Sequence, residues 1–255
     1  MHEPIYMPRG RAKEYGNYAI NIYTGCPHNC YYCFSPSVLR QDKNSFHTNV
    51  EPRNDIVERT KKQLSKGNIQ NELIHLCFVC DPYPLDIFDT STTREIIKAI
   101  KESGNHVQIL TKNGADVQRD FDLLDENDWF GITYAGYENF HDDCVPNEEP
   151  GTGNLIYRIN ALSNAAAKGI KTWVSAEPVL NTKDVLDVIK TWDFVDMWKI
   201  GKLNYYSSDV NWVSFGIEVI NLCEKLKRNY IIKEDLQKEV DNFLLYNQTK
   251  EGDAT

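Results

Sequence analysis

The chain has 255 residues, 41% of them hydrophobic, which is enough to bury the core of one barrel-sized domain. Its formal net charge of -9 argues against an enzyme that holds a nucleic-acid duplex mainly through phosphates, because such proteins carry basic patches. The sequence contains no run of about eighteen apolar residues, so no membrane span is predicted. Residues 1–13 lack the apolar core of a secretory signal.

Strands and helices are predicted to alternate, because short runs of branched and aromatic residues alternate with stretches of helical spacing. The predicted strands cover residues 18–23, 73–79, 106–110, 129–134, 170–175 and 194–200. The predicted helices cover residues 56–66, 92–103, 117–125, 155–168, 183–190 and 211–227. Helix starts are indicated at Ser91-Thr92 and Asn181-Thr182, and helix ends at Gly104 and Gly169.

This alternation predicts an α/β fold in which parallel strands are joined by right-handed crossovers. Six strand–helix units predict an open, six-unit (β/α)6 partial TIM barrel, with its chemistry at the carboxyl ends of the strands. We expect residues 1–230 to form the barrel. Residues 231–255 are expected to form a C-terminal helix at 233–246 and a flexible tail from Thr249.

Three cysteines follow the first predicted strand in the pattern C-x3-C-x2-C: Cys26, Cys30 and Cys33. Three thiolates in one short loop can ligate three irons of a four-iron cluster, because cysteine sulfur ligates such clusters. The fourth iron then has an open coordination site, which in a metal centre is a place for a substrate or cosubstrate. The total of seven cysteines is odd and fits a reducing cytoplasm better than a disulfide framework.

Two other interpretations of these cysteines stay open at this point. The loop is compatible with a zinc site completed by His28 or His47, or with unpaired thiols. Zinc knuckles usually have pairs of ligands separated by a longer loop, whereas these three cysteines share one short loop. The spacing therefore favours the iron–sulfur cluster.

The cysteine loop has Tyr32 directly before its third cysteine and Phe34 directly after it, and it resembles the loop of the radical S-adenosylmethionine (radical SAM) superfamily. Further matching motifs follow along the chain: Asp81-Pro82-Tyr83, Thr111-Lys112, Arg119-Asp120 and Leu123-Leu124. Together these motifs are similar to those of the spore photoproduct lyase-like branch, over residues 18–205.

The resemblance implies an enzyme with two cofactors, a 4Fe-4S cluster and S-adenosyl-L-methionine. Reductive cleavage of S-adenosylmethionine would give a 5'-deoxyadenosyl radical, which removes a hydrogen atom from the substrate while the protein positions the reactants and excludes water. The implied partners are an electron donor such as flavodoxin or ferredoxin and a nucleobase, nucleotide or DNA substrate. No membrane partner is expected.

Three candidate residues for S-adenosylmethionine lie in the cysteine loop and at strand ends. The resemblance places Tyr32 beside the adenine and Asp81 at the amino group. Lys112 is the candidate for the methionyl carboxylate, because a cation at a strand end can pair with it. Plainer alternatives are a packing aromatic, a turn initiated by Asp-Pro, and an exposed loop lysine.

Three further candidates come later in the chain. Thr133 ends the fourth predicted strand and is assigned to the ribose. Arg158 is assigned to a cofactor carboxylate or to Glu149, with a helix-surface arginine as the alternative. Glu177 ends the fifth predicted strand and is the candidate for binding substrate at the barrel mouth.

Cys77 and Cys80 form a C-x2-C, which is typical of a metal site or a redox pair. Residues three apart on an extended strand point to opposite faces, so a shared role requires the strand to end before Cys80. Spore photoproduct lyase has a hydrogen-donating cysteine at this strand end, at a position that aligns closer to Phe78. Cys80 is nevertheless the candidate hydrogen donor, and Cys144 is a second one; the alternative is a buried structural cysteine.

Three functions remain open from the sequence. The first is a radical enzyme acting on a nucleobase or nucleotide, for which the aromatic stretches 134–140 and 198–206 offer stacking surfaces. The second is a radical enzyme acting on a peptide or small metabolite, with which the acidic balance is compatible. The third is a non-catalytic zinc-binding protein.

Overall fold

The computed structural model describes residues 2–85, 91–136 and 151–252, with side chains up to residue 246. The described residues divide into two compact units. Of the described residues, the first unit contains 2–85, 91–132 and 151–172, and the second contains 133–136 and 173–252. Strands alternate with helices in both, so the predicted α/β class is confirmed.

The strands of the first unit follow one another in chain order. They are β1 (Ile5–Tyr6), β2 (Tyr18–Ile20), β3 (Leu73–Leu76), β4 (His106–Thr111) and β5 (Trp129–Thr133). β1 is antiparallel to β2, whereas each later neighbour is parallel. Both faces of these parallel strands are covered: Ile74, Leu76, Val107 and Ile109 are fully buried, and the polar His75 and Gln108 between them are buried too.

The helices of the first unit are α1 (Ser35–Leu39), α2 (Lys43–Thr48), α3 (Ile56–Leu64), α4 (Ser91–Glu102) and α5 (Leu155–Ala167). Two 3-10 helices cover Gly10–Glu14 and Val117–Leu123. Side-chain caps begin two of the α-helices: Asp42 accepts from the Ser45 N–H at 2.8 Å, and Asn154 accepts from the Ile156 N–H at 2.9 Å.

The second unit contains three parallel strands, also in chain order. They are β6 (Lys171–Ala176), β7 (Met197–Ile200) and β8 (Tyr230–Ile232). The helices are α6 (Thr182–Thr191), α7 (Trp212–Leu226) and α8 (Glu234–Gly252). Asn181 caps α6 and Asn211 caps α7, each by accepting a backbone N–H three residues ahead.

The six predicted strands are all present, and four features differ from the prediction. β1 and β8, of two and three residues, were not predicted because neither lies in a longer apolar run as β2 does. α1 and α2 have five and six residues, too few for a helical period to show. The predicted helix at 117–125 is a 3-10 helix, held by Asp120, which binds the Tyr83 hydroxyl at 3.0 Å. α8 continues to Gly252, beyond the expected start of the tail at Thr249.

The predicted domain boundary after residue 230 stays a prediction, although β8 runs across it. Leu236 and Val240 of α8 are buried, so the C-terminal helix is packed within the second unit. In the described part of the chain, no helix combines the length and the apolar character needed to cross a bilayer.

The contact between α7 and α8 depends on Gly216. A Cβ at this position would lie 2.4 Å from Cγ2 of Val240, closer than two carbons can approach. Glycine to alanine in a helix normally stabilises by about 1 kcal/mol. Because of this clash we expect Gly216→Ala to destabilise the protein instead, and calorimetry should show a lower melting temperature. In a V240A background the clashing methyl groups are absent, so adding G216A there should lower the melting temperature less than it does in the wild-type protein. A stabilised G216A protein would contradict this packing.

Candidate functional site

The cysteine loop lies between β2 and α1 and is held by α2. The Cys26 N–H donates to the Phe46 carbonyl at 3.2 Å, and Nδ1 of His47 lies 2.7 Å from the Cys26 carbonyl oxygen. A Cβ on Gly25 would come within 2.1 Å of the Phe46 carbonyl oxygen, so only glycine permits this approach. Backbone contacts with α2 therefore fix the first cysteine of the loop.

The three cysteines of the loop are largely shielded from solvent: Cys30 is buried, and Cys26 and Cys33 are half-buried. The donor set, three cysteines in one loop, fits a 4Fe-4S cluster with one iron left for another ligand.

His28 is placed to hold the loop rather than to complete a zinc site. Its side chain is buried, Nε2 accepts the Leu85 N–H at 3.4 Å, and Nδ1 lies 3.5 Å from Oδ2 of Asp81. Because Nε2 is an acceptor, the ring carries a proton on Nδ1, facing the carboxylate. Both ring nitrogens of His28 therefore already face protein groups, which does not bear on the zinc alternative completed by His47.

Asp81 joins the cysteine loop to the ends of two strands. Its Oδ1 accepts the Tyr83 N–H at 2.8 Å and the Thr111 hydroxyl at 2.6 Å. Its Oδ2 accepts the Lys112 N–H at 2.8 Å and faces His28. Since both oxygens already bind protein donors, the structure indicates that Asp81 positions its neighbours. Its assignment to the cofactor amino group stays a prediction.

Lys112 and Tyr32 come together although they are far apart in the sequence. Lys112 follows β4, and its Nζ lies 5.5 Å from the centroid of the Tyr32 ring, within the range of a cation–π contact. Tyr31 packs edge-on against Tyr32, with the ring centroids 5.2 Å apart. The structure thus brings two predicted cofactor residues to one place beside the cysteine loop.

Arg158 lies in the first turn of α5 and is fully buried. Its Nε donates to the Gly153 carbonyl at 3.0 Å, and Nη2 donates to the Thr152 hydroxyl at 2.6 Å. The Gly153 N–H in turn donates to the Lys112 carbonyl at 3.0 Å. Arg158 therefore supports the backbone of Lys112 through Gly153, a role that its interpretation as a surface arginine missed. Its predicted partner Glu149 lies outside the described residues.

Two predicted residues belong to the second unit. Thr133 is buried at the end of β5, and its assignment to the ribose stays a prediction. Glu177 directly follows β6, and its carboxylate pairs with Lys233, which directly follows β8. A Cβ on Gly201 would come within 2.8 Å of Oε1 of Glu177, so the end of β7 also borders this ion pair. Lys233 was not predicted because β8 was not recognised.

Cys77 and Cys80 follow β3, which ends at Leu76. The strand therefore ends before the pair. Both are buried, as the structural interpretation of Cys80 expected. Cys144 lies outside the described residues, so its candidacy as hydrogen donor stays a prediction.

Comparison with known proteins finds a matching family model and related sequences. The family model described as the radical SAM superfamily matches residues 20–198. An uncharacterised protein of Methanocaldococcus jannaschii is 28% identical over 174 residues, 67% of this chain and 62% of the relative. An uncharacterised protein of Mycobacterium tuberculosis is 29% identical over 173 residues, 64% of this chain and 49% of the relative. The matched part thus spans about half to three fifths of these relatives.

Solved structures show the same fold. A spore photoproduct lyase variant with bound AdoMet and dinucleoside spore photoproduct superposes with a TM-score of 0.63 at 14% identity, covering 89% of this chain and 79% of that one. SuiB of Streptococcus suis bound to S-adenosylmethionine has a TM-score of 0.59 at 11% identity, covering 84% and 49%. Methylornithine synthase has a TM-score of 0.57 at 13% identity, covering 83% and 63%.

The contacts of Asp81 predict the behaviour of Asp81→Asn. Asparagine replaces one of the two acceptor oxygens of Asp81 by an N–H₂ donor, so the protein N–H groups that this oxygen accepts from lose their acceptor. Each buried donor left unsatisfied costs about 1–3 kcal/mol. We expect lower thermal stability of the iron-free protein and lower iron and sulfide content after anaerobic reconstitution. Asp116→Asn, at an exposed position nearby, is the matched control. Normal iron content and melting temperature in D81N would show that Asp81 does not hold the loop.

Proposed function

The chain belongs to the radical SAM superfamily, and from this premise we propose that it modifies a nucleobase, nucleotide or DNA substrate. Enzymes of this superfamily use a 4Fe-4S cluster and S-adenosyl-L-methionine, which when bound supply a 5'-deoxyadenosyl radical. The finer proposal concerns the substrate on which that radical acts. Action on a peptide or small metabolite is the alternative.

The observation that carries the nucleotide proposal is the extent of the fold match to spore photoproduct lyase. The match covers 89% of this chain and includes a structure with a bound dinucleoside spore photoproduct. It agrees with the motifs at the strand ends, which resemble those of the same branch. At 14% identity the match supports a related class of substrate rather than the same reaction.

Within the first unit, each protein group has a proposed task. Cys26, Cys30 and Cys33 would hold the cluster in a loop that α2 already fixes. The Lys112 ammonium would bind the methionyl carboxylate, and Tyr32 would pack beside the adenine, which is consistent with their contact. These groups bind and orient the cofactor, so that the radical forms at one place and away from water.

Exposed tyrosines in the second unit support a base-stacking role. Tyr205 and Tyr206 are 78% and 43% exposed in the segment after β7. Aromatic side chains at the surface stack with bases at about 1–3 kcal/mol per base. Two aromatic residues of the stretches that were expected to stack with bases, Trp198 and Tyr134, are fully buried and offer no such surface. We propose that Glu177, paired with Lys233, contacts the substrate.

The proposed partner in electron transfer is a flavodoxin or ferredoxin, since the superfamily requires a one-electron reductant. A cytoplasmic location was predicted from the odd number of cysteines. This location and the identity of the donor both stay predictions.

Lys112 provides a test of cofactor binding. We expect Lys112→Met to weaken S-adenosylmethionine binding about 10- to 100-fold, because a hydrogen bond to a charged group contributes about 1.5–3 kcal/mol. Iron content should stay normal. Equilibrium binding by calorimetry on the reconstituted protein measures the effect. Lys112→Arg keeps the charge and should lose less, and equal affinity in all three proteins would remove Lys112 from the site.

The substrate class is tested by deuterium transfer. Reconstituted protein is supplied with S-adenosylmethionine, reduced flavodoxin and deuterated thymidine, thymidylyl-thymidine or oligonucleotide, and 5'-deoxyadenosine is analysed by mass spectrometry. We expect deuterium in 5'-deoxyadenosine with a nucleotide substrate, and reduced transfer in Y205A/Y206A. Transfer only from deuterated peptides or amino acids would establish the alternative. Cleavage of S-adenosylmethionine without transfer from any nucleotide would contradict the proposal.

A further inference from the structure

The helix that follows the cysteine loop presents an exposed apolar patch. Phe34 and Val38 are 47% and 65% exposed. The Val38 N–H donates to the Phe34 carbonyl at 3.1 Å, so the two side chains lie four residues apart on one face of α1. Ser35 and Pro36 are buried and anchor the helix. Apolar side chains that stay together at a surface, with polar residues around them, are typical of an interaction site.

Basic side chains follow the patch along the chain. Arg40 lies at the end of α1 and Lys43 begins α2; both are exposed, and neither takes part in an ion pair with another described residue. Asp42 is the only acidic residue among residues 26–50, and its carboxylate is engaged as the cap of α2. With two basic and one acidic side chain, this segment has a net charge of +1 in a chain whose net charge is -9. We call Phe34, Val38, Arg40 and Lys43 the α1 surface.

The α1 surface lies beside the proposed cluster ligands. Phe34 directly follows Cys33 in the sequence. A helix rises 1.5 Å per residue, which places Val38 about 6 Å further along the axis. Lys43 begins α2, and this helix holds Cys26 through a backbone carbonyl and a histidine side chain. A protein that contacts the α1 surface is therefore close to the cluster, and electron transfer slows steeply as the distance between donor and acceptor grows.

We propose that the α1 surface is the docking site of flavodoxin as the one-electron donor. The inference rests on the proposed radical function and names the surface that its redox partner contacts. Flavodoxin is an acidic protein with one edge of its flavin exposed, so Arg40 and Lys43 complement its charge and the Phe34 ring suits the flavin edge. Electron-transfer contacts bury less than about 1,200 Å² in total, so a small surface is sufficient.

The electron transfer itself makes and breaks no bond. The reduced flavin gives one electron to the oxidised cluster, and the flavin that remains on the donor has lost that electron and no proton. Opposite charges steer the two proteins together, and salt screens this attraction beyond about 8–10 Å. Binding of flavodoxin, and reduction by it, are therefore expected to weaken as salt is added.

Equilibrium binding of oxidised flavodoxin tests the α1 surface without radical chemistry. Reconstituted protein is titrated at low ionic strength, and the heat of binding is measured. We expect Arg40→Glu to raise the dissociation constant about tenfold, because a reversed charge at an interface rim opposes the partner's charge. Val38→Asp should raise it by a similar factor. The matched control is Lys227→Glu, at an exposed lysine that has the same left-handed conformation at the end of α7, and it should keep the wild-type affinity.

Reduction kinetics separate docking from damage to the cluster. The visible absorption of the cluster is followed after mixing with reduced flavodoxin or with dithionite, a small reductant that needs no docking surface. We expect flavodoxin to reduce R40E and V38D about tenfold more slowly than the wild-type protein. Dithionite should reduce all three at one rate, with iron content and melting temperature unchanged. Unchanged binding and reduction by flavodoxin in both variants overturn the proposal, as does equal slowing with dithionite.

Two further outcomes separate the docking site from the proposed function. Binding of ferredoxin, and not of flavodoxin, at the α1 surface overturns the choice of donor. A protein that flavodoxin reduces through the α1 surface, but that removes no hydrogen atom from any nucleotide, contradicts the proposed function and supports the docking site.

Discussion

The buried carboxylate of Asp81 is the interaction on which the rest of the site depends. Its oxygens accept from Tyr83, Thr111 and Lys112 and face His28, so one side chain connects β3, β4 and the cysteine loop. A buried charge is costly unless its lone pairs are satisfied, and here protein donors satisfy both oxygens. Because these donors lie in different segments, the site exists only when the strand ends and the loop come together.

A second layer of contacts fixes the groups that Asp81 does not reach. Arg158 holds Gly153, which holds the Lys112 carbonyl, and α2 holds Cys26 through Phe46 and His47. Lys112 is thereby restrained at its N–H and at its carbonyl, while its side chain extends over Tyr32. Groups that are positioned before a cofactor binds lose little freedom on binding, which favours affinity.

Much of this arrangement could be predicted from the sequence, because the signals are local. The apolar runs of β2 to β7 and the cysteine spacing are readable within a few residues, and the motif positions follow from the strand ends. What could not be predicted depends on the fold. That Cys77 and Cys80 follow β3 rather than lie on it requires knowing that the strand ends at Leu76. The pair of Glu177 with Lys233 requires β8, a strand of three residues without a clear period.

The position of Asp81 also has an electrochemical consequence. Its charge contributes, after burial, to the raised pKa of the Cys26 thiol, because a nearby negative charge opposes the formation of a second one. The same field opposes the addition of an electron to a cluster ligated by that sulfur. The reduction potential of an iron–sulfur cluster falls as its surroundings become more negative. A carboxylate that organises the loop would therefore also make a cluster held by Cys26 a stronger reductant.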